Sequence, residues 1–176
     1  MSNSFIIIIG NGDCVSKLKL GNIIDSYETV VRINNYKIDG FEEYIGTKTN
    51  VWSTYGGLDV LKRDTANIDT ILVINKAIDL DINKLDSSKC IFKNVNVFDI
   101  LKNNEILVDE FIPSTGLCTV LYYVNTYKIP IVYYGFDFFK SGHYFNKKHI
   151  FWSYHNSNLE EFIFKELTRK KLILPL

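Results

Sequence analysis

The run Phe5-Ile6-Ile7-Ile8-Ile9, followed at once by Gly10-Asn11-Gly12-Asp13, constrains the fold more than any other stretch. Apolar residues without a polar interruption do not suit a half-exposed strand. Both faces need covering, as in a parallel sheet flanked by helices. The run is too short for a membrane span or a signal-peptide core. Its glycines turn the chain toward a helix start, where backbone N–H groups can approach a phosphate or a ribose.

Five further β-rich segments, at 29–33, 50–54, 70–74, 91–95 and 131–135, alternate with helix-length stretches at 13–20, 57–63, 97–103, 114–128 and 158–171. This alternation predicts an α/β fold with a mostly parallel sheet and crossover helices. In 114–128, Leu117, Val120, Leu121 and Val124 fall on one helical face, which should lie on the sheet. No repeat or Gly/Pro-rich linker divides the 176 residues, so one domain over 1–176 is expected. Lys plus Arg equals Asp plus Glu at 20 each, so no overall field draws the chain to nucleic acid. Three scattered cysteines, Cys14, Cys90 and Cys118, fit a reducing, cytoplasmic setting better than a disulfide framework or a zinc site. The C-terminal tail mixes Lys165, Arg169, Lys170 and Lys171 with Leu172, Ile173 and Leu174, a composition suited either to peripheral membrane contact or to a docked helix end.

Three stretches can carry chemistry. Gly10, Asn11 and Gly12 form a G-x-G turn. With Val15 in place of a third glycine and no acidic residue closing the second strand, a dinucleotide cofactor is disfavoured. Arg32 and Asn34, at the end of that second strand, belong in the crevice where open α/β sheets bind ligands. Ser114, Thr115 and Gly116 stand at a helix N-terminus, where the dipole favours an anion, although a serine there can simply be a cap. All three histidines, His143, His149 and His155, lie in one aromatic segment at spacings that do not suit zinc. An imidazole of pKa about 6.5 suits a general base. His155 precedes a helix bearing Glu160 and Glu161, either of which could bias its ring. Asp79-Leu80-Asp81 matches a metal-holding D-x-D, but reads better as a surface turn, so no metal is expected.

In order and spacing these pieces resemble the motifs of glycosyltransferase family 29, the sialyltransferases. The long motif lies in Ile7-Ile8-Ile9-Gly10-Asn11-Gly12, Leu20-Gly21-Asn22-Ile23-Ile24-Asp25-Ser26, Val30-Val31-Arg32-Ile33-Asn34 and Ile45-Gly46-Thr47-Lys48-Thr49. The short motif lies in Pro113-Ser114-Thr115-Gly116-Leu117 and Val132-Tyr133-Tyr134-Gly135-Phe136, the third in His143-Tyr144-Phe145, and the last in the His155-to-Glu160 spacing. The stretch 134–162 is also similar to the bacterial family 42 sialyltransferases.

The resemblance implies a Rossmann-like domain, the sialyltransferase variant of the GT-A fold. It also implies inverting, cofactor-free transfer of a sugar acid from a CMP-activated donor to a glycan or glycolipid hydroxyl. His155 would be the base and Glu160 its aligning partner. His143 and Tyr144 would hold the departing phosphate, with Gly10, Asn11, Gly12, Arg32, Asn34, Ser114, Thr115 and Gly116 as donor contacts. Acceptor recognition would fall in the unassigned stretch from Asp59 to Asp109. The cysteine pair that ties the long and short motifs in animal enzymes is missing at its expected places, which points to a bacterial or viral style of enzyme. CMP-Kdo transfer to bacterial surface polysaccharide or capsule remains an alternative. So does a non-catalytic CMP- or glycan-binding module. A serine hydrolase built on Ser114 fits poorly, because no G-x-S-x-G surrounds it.

Overall fold

The computed structural model describes residues 6–56, 63–75, 87–148 and 155–176. Its strands are β1 (Ile6–Ile9), β2 (Thr29–Ile33), β3 (Val51–Thr54), β4 (Thr70–Ile74), β5 (Cys90–Lys93), β6 (Ile131–Tyr134) and β7 (Ile173–Pro175). They form one parallel sheet in the order β5-β4-β3-β2-β1-β6-β7. The helices are α1 (Gly21–Asp25), α2 (Glu42–Ile45), α3 (Val97–Asn103), α4 (Thr115–Thr126) and α5 (Ser157–Arg169). The expected α/β Rossmann-like architecture is thus observed.

Strand periodicity explains how both faces are covered. Ile6 and Ile8 of β1 join a cluster with Leu117, Leu121, Ile163 and Phe164 from α4 and α5. Ile7 and Ile9 point the other way, to Ile24, Val30 and Val132. β4 divides likewise, with Leu72 and Ile74 on one face and Ile71 and Val73 on the other. The expected face of α4 is buried at Leu117, Val120 and Leu121, with Val124 half-buried at its end.

The structure changes several boundaries. Only a 3-10 turn, Asp13–Lys17, occupies the region where a helix was expected over 13–20, and the short α1 begins after it. Side-chain bonds compete with the helix there: the Asp13 N–H goes to Ser141 Oγ, far along the chain, and the Ser16 hydroxyl to Asp13 Oδ1. The short helix α2 and the edge strand β7 were not anticipated. In β7 Ile173 is fully buried, and Leu172 packs on the same core, so the tail's apolar side chains largely complete the sheet. The helix expected at 57–63 falls almost wholly outside the described residues, and Asp79-Leu80-Asp81 and His149 fall outside entirely. Among the described residues no helix is long and apolar enough to cross a membrane.

The loop leading into β3 is fixed by Asp25. Its carboxylate accepts the Thr47 and Lys48 N–H groups at 2.9 Å and the Thr47 hydroxyl at 3.0 Å. Gly46, at φ 70°, makes that turn, and a Cβ there would come within 2.2 Å of Asp25 Oδ1. Partial burial opposes the Asp25 charge, but these hydrogen bonds prevail and hold its pKa below the ordinary carboxylate value. A depressed carboxylate stabilises the fold above its unfolded pKa, and that contribution disappears as pH falls through the lower folded value. Asp25→Asn should therefore flatten the acid limb of the stability–pH curve. Denaturant melts between pH 7 and pH 3 would measure it.

Candidate active site

The strand order reverses between β1 and β6, and open α/β sheets bind ligands outside the C-terminal strand ends at such a point. The two strand ends come unusually close here. Gly10 N–H donates to the Tyr134 carbonyl at 2.7 Å, and Gly12 N–H to the Gly135 carbonyl at 2.8 Å. A Cβ on Gly10 would lie 2.4 Å from the Gly135 oxygen, so a glycine at position 10 is a packing requirement of this seam.

Asn11 and Asn34 end β1 and β2. Asn11 Nδ2 donates to the Ile33 carbonyl at 3.0 Å, while its Oδ1 is buried with no hydrogen-bond partner. Asn34, in the left-handed region at φ 50°, has its backbone tied to Ser53 and to the Trp52 indole, and its Oδ1 is likewise buried and unbonded. Two buried acceptors without donors at one crevice suit a ligand that brings hydroxyl or amino hydrogens.

Arg32 has a different position from the one expected. It is fully buried. Its Nε donates to the Lys48 carbonyl and Thr49 Oγ1, both at 3.0 Å, and its Nη2 to the Ile45 carbonyl at 2.7 Å. Burial pulls its pKa down from the ordinary guanidinium value. Arg32 thus anchors the 45–49 loop from below.

The N-terminus of α4 adjoins the same crevice: a Cβ on Gly116 would meet Phe136 at 2.9 Å and Ile33 at 3.7 Å. Ser114 caps the helix by accepting the Leu117 N–H. It is held in turn by Glu160 of α5, whose two oxygens accept the Ser114 N–H and hydroxyl, each at 2.7 Å. Burial raises the Glu160 pKa, against the lowering effect of those two bonds and of nearby His155. Glu160, expected to align His155, bonds to the cap of α4 and lies near enough to His155 to feel its charge.

His155 is aligned by other groups. Its Nδ1 lies 2.9 Å from the Ile112 carbonyl, and its ring stacks on Phe139 with centroids 5.4 Å apart. A carbonyl can only accept, so Nδ1 carries the proton and the basic lone pair belongs to Nε2. The support is strained. Phe138 and Phe139 take φ of 55° and 60°, conformations that cost bulky residues about 1–3 kcal/mol each. The strained turn places Phe139 on His155 and the Phe138 carbonyl under the Ser157 hydroxyl.

His143 pairs with Gly12 across a short bridge, which brings the histidine loop to the first turn. Its neighbour Tyr144 is buried. The Tyr144 hydroxyl donates to the Lys37 carbonyl at 2.5 Å and accepts the Lys37 N–H at 2.9 Å, and burial pushes its pKa up to about 12. The hydroxyl expected to hold a phosphate thus clasps the loop after β2. Tyr144→Phe should cost about 1–3 kcal/mol in urea unfolding, because two backbone groups lose their partner. Two residues that sequence reasoning missed complete this corner. Asp137 sits where a Gly12 side chain would be, and Ser141 donates to it while accepting the Asp13 N–H. Among the described residues no group of three or more His, Cys, Asp or Glu side chains could hold a metal ion.

Comparison with known proteins matches part of the sequence and the whole fold. Residues 6–84 match the model of glycosyltransferase family 29 (sialyltransferase). Over that stretch, less than half of the chain, the sequence is family 29-like. Over 49 residues it is 45% identical to the human CMP-N-acetylneuraminate-beta-1,4-galactoside alpha-2,3-sialyltransferase, covering 28% of this chain and 13% of that protein. It is 37% identical over 49 residues to the rat lactosylceramide alpha-2,3-sialyltransferase, with the same coverage. The aligned segment thus spans only about an eighth of these relatives. In three dimensions the whole chain superposes on 70% of a mammalian sialyltransferase crystal structure with TM-score 0.77 at 18% identity. The same protein fold in complex with Gal-beta-1-3GalNAc-ortho-nitrophenol gives 0.76 at 17%. The family 29-like segment holds Gly10, Asn11, Gly12, Arg32 and Asn34, and ends before Ser114 and His155. For those later residues the likeness is one of fold alone.

Proposed function

We propose that the protein is an inverting glycosyltransferase that moves a sugar acid, N-acetylneuraminate foremost, from its CMP-linked donor to a glycan hydroxyl. The observation that carries this reading is the pair of unbonded buried amide oxygens, Asn11 Oδ1 and Asn34 Oδ1, at the switch-point crevice of a family 29-like sheet. The relatives' names supply the donor.

In the reaction the acceptor oxygen forms a bond to the anomeric carbon of the donor as the bond from that carbon to the phosphate oxygen breaks. The electron pair leaves with CMP, and the acceptor proton goes to His155 Nε2. The Nδ1–H bond to Ile112 fixes that tautomer, and stacking on Phe139 fixes the plane. Charge on the departing phosphate or the sugar carboxylate is met by the N-terminus of α4, which Glu160 holds in place through Ser114. His143, bridged to Gly12, would meet the phosphate beside the first turn. We assign no metal to this reaction, since a monophosphate leaving group with these donors has its charge stabilised without one.

Calorimetric titration with CMP tests the site. CMP should bind, and Asn11→Ala should weaken it about tenfold, the worth of one good hydrogen bond. Unchanged affinity in that variant would remove the orphan amides from the donor site.

A further inference from the structure

The sheet face that carries Trp52, Ile71 and Val73, opposite α4 and α5, holds a cleft of about 550 Å³. It runs from Tyr36 and Lys37, in the loop after β2, to Thr49 and Asp69, which lead into β3 and β4. Two guanidinium groups share its Tyr36 wall. Arg63, half-buried in the lining, lies over the Tyr36 ring at 3.7 Å from the centroid and 5.6 Å from that of Trp52. It donates through Nη2 to the Tyr36 carbonyl, while its Nε–H is buried with no hydrogen-bond partner. Arg32 stands behind the lining, 5.6 Å from the centroid of the same ring, with its Nε on Lys48 and Thr49 of the cleft wall. Its Nη1 is also buried and unbonded. The two cations are close enough to oppose each other. Burial lowers the Arg32 pKa most, and the charge of Arg63 lowers it further. Asp39, Asp64 and Asp69 also line the cleft, but all three are exposed, and Asp64 and Asp69 are engaged with the Ala66 N–H and the Asn50 amide.

We propose that this cleft binds a small oxyanion, a phosphate or carboxylate group, held by Arg63 with Arg32 supplying positive field from behind, and that the site is separate from the crevice at the ends of β1 and β2. A guanidinium offers a fixed fork of N–H donors that matches the paired oxygens of either group. Placing two such cations on one aromatic ring is costly, and an anion beside them offsets that cost. Lys37, exposed in the same lining, adds a third positive charge at the entrance. The inference does not depend on the transferase reading, since none of these side chains was assigned to the donor crevice or to proton transfer except Arg32, which here, as there, is wholly enclosed and makes no direct contact with a ligand.

The test is an NMR titration of isotope-labelled protein with inorganic phosphate and, separately, with acetate, each with and without saturating CMP. The signals followed are the Arg63 Nε–H and the Trp52 indole N–H, assigned with Arg63→Gln and Trp152→Phe. Both should shift saturably with at least one of the anions, and the tighter of the two identifies the group the site prefers. Arg63→Gln should weaken that binding about tenfold or more, read at Trp52, and leave CMP affinity unchanged. Arg63→Lys keeps the charge but loses the fork, so its affinity should fall between the two. No saturable shift with either anion, or a Trp52 response in Arg63→Gln equal to that of the unaltered protein, would overturn the proposal. So would loss of the anion response when CMP is added, because the anion would then occupy the donor crevice. Failure of CMP itself to bind would count against the donor reading alone, since the Arg63 readout does not need it.

Discussion

Replacing His155 with alanine should lower kcat at least about 10²-fold, and up to about 10⁴-fold, while leaving CMP affinity nearly unchanged. The imidazole stands beside Ile112, whereas the unbonded amides of Asn11 and Asn34 lie at the ends of β1 and β2. Loss of the ring therefore removes proton transfer and leaves nucleotide recognition in place. His155→Gln sharpens the test, since an amide can reach the Ile112 carbonyl but cannot accept a proton near neutral pH. Stopped-flow or coupled CMP-release assays alongside calorimetry would separate the two effects. A non-catalytic CMP- or glycan-binding module predicts no turnover to lose. Equal losses in kcat and in CMP affinity would move His155 from the acceptor side to the donor side.

Arg32→Ala should destabilise the fold by on the order of 3 kcal/mol or more, from two buried carbonyls left without donors and a cavity under the 45–49 loop. The guanidinium is wholly enclosed and reaches Ile45, Lys48 and Thr49 at once. Lysine cannot reproduce that fork, so Arg32→Lys should recover little of the loss. A direct donor-binding role predicts the opposite pattern: a weaker affinity for CMP with an unchanged urea midpoint. Chemical denaturation and titration on the same variants distinguish the two.

Arg32 also shows where sequence reading stops. Its place at a strand end in the crevice region was legible from the run Val30-Val31-Arg32-Ile33-Asn34, because strand periodicity and the parallel α/β pattern fix which end of β2 faces the ligand side. Which way a long side chain turns from that end depends on a loop thirteen to seventeen residues on, and no local pattern encodes it. The same holds for Glu160 and Tyr144. Tyr144 was marked by resemblance to a family motif and Glu160 by its spacing from His155, and each also ties elements together, Glu160 from α5 to the cap of α4 and Tyr144 from the histidine loop to Lys37. The strained pair Phe138 and Phe139 carried no signal, since bulky residues give no hint of positive φ. β7 was hidden for another reason. Three residues after a basic helix end look like a frayed tail until Ile173 is seen pairing with Ile131 in the sheet. The unbroken apolar run of β1 and the periodic faces of α3 and α4 were readable because burial on a sheet leaves little freedom in their composition.

With Tyr144 and Glu160 tied to other elements, the proposed chemistry rests on His155 Nε2, His143, the α4 N-terminus and the two amides. The most direct measurement incubates the purified protein with CMP-N-acetylneuraminate and lactose in EDTA, and follows CMP and sialylated product together. The account predicts both, in equal amounts, with the new linkage inverted at the anomeric carbon. No CMP from CMP-N-acetylneuraminate or from CMP-Kdo, or activity that disappears in EDTA and returns with Mg²⁺, would contradict it.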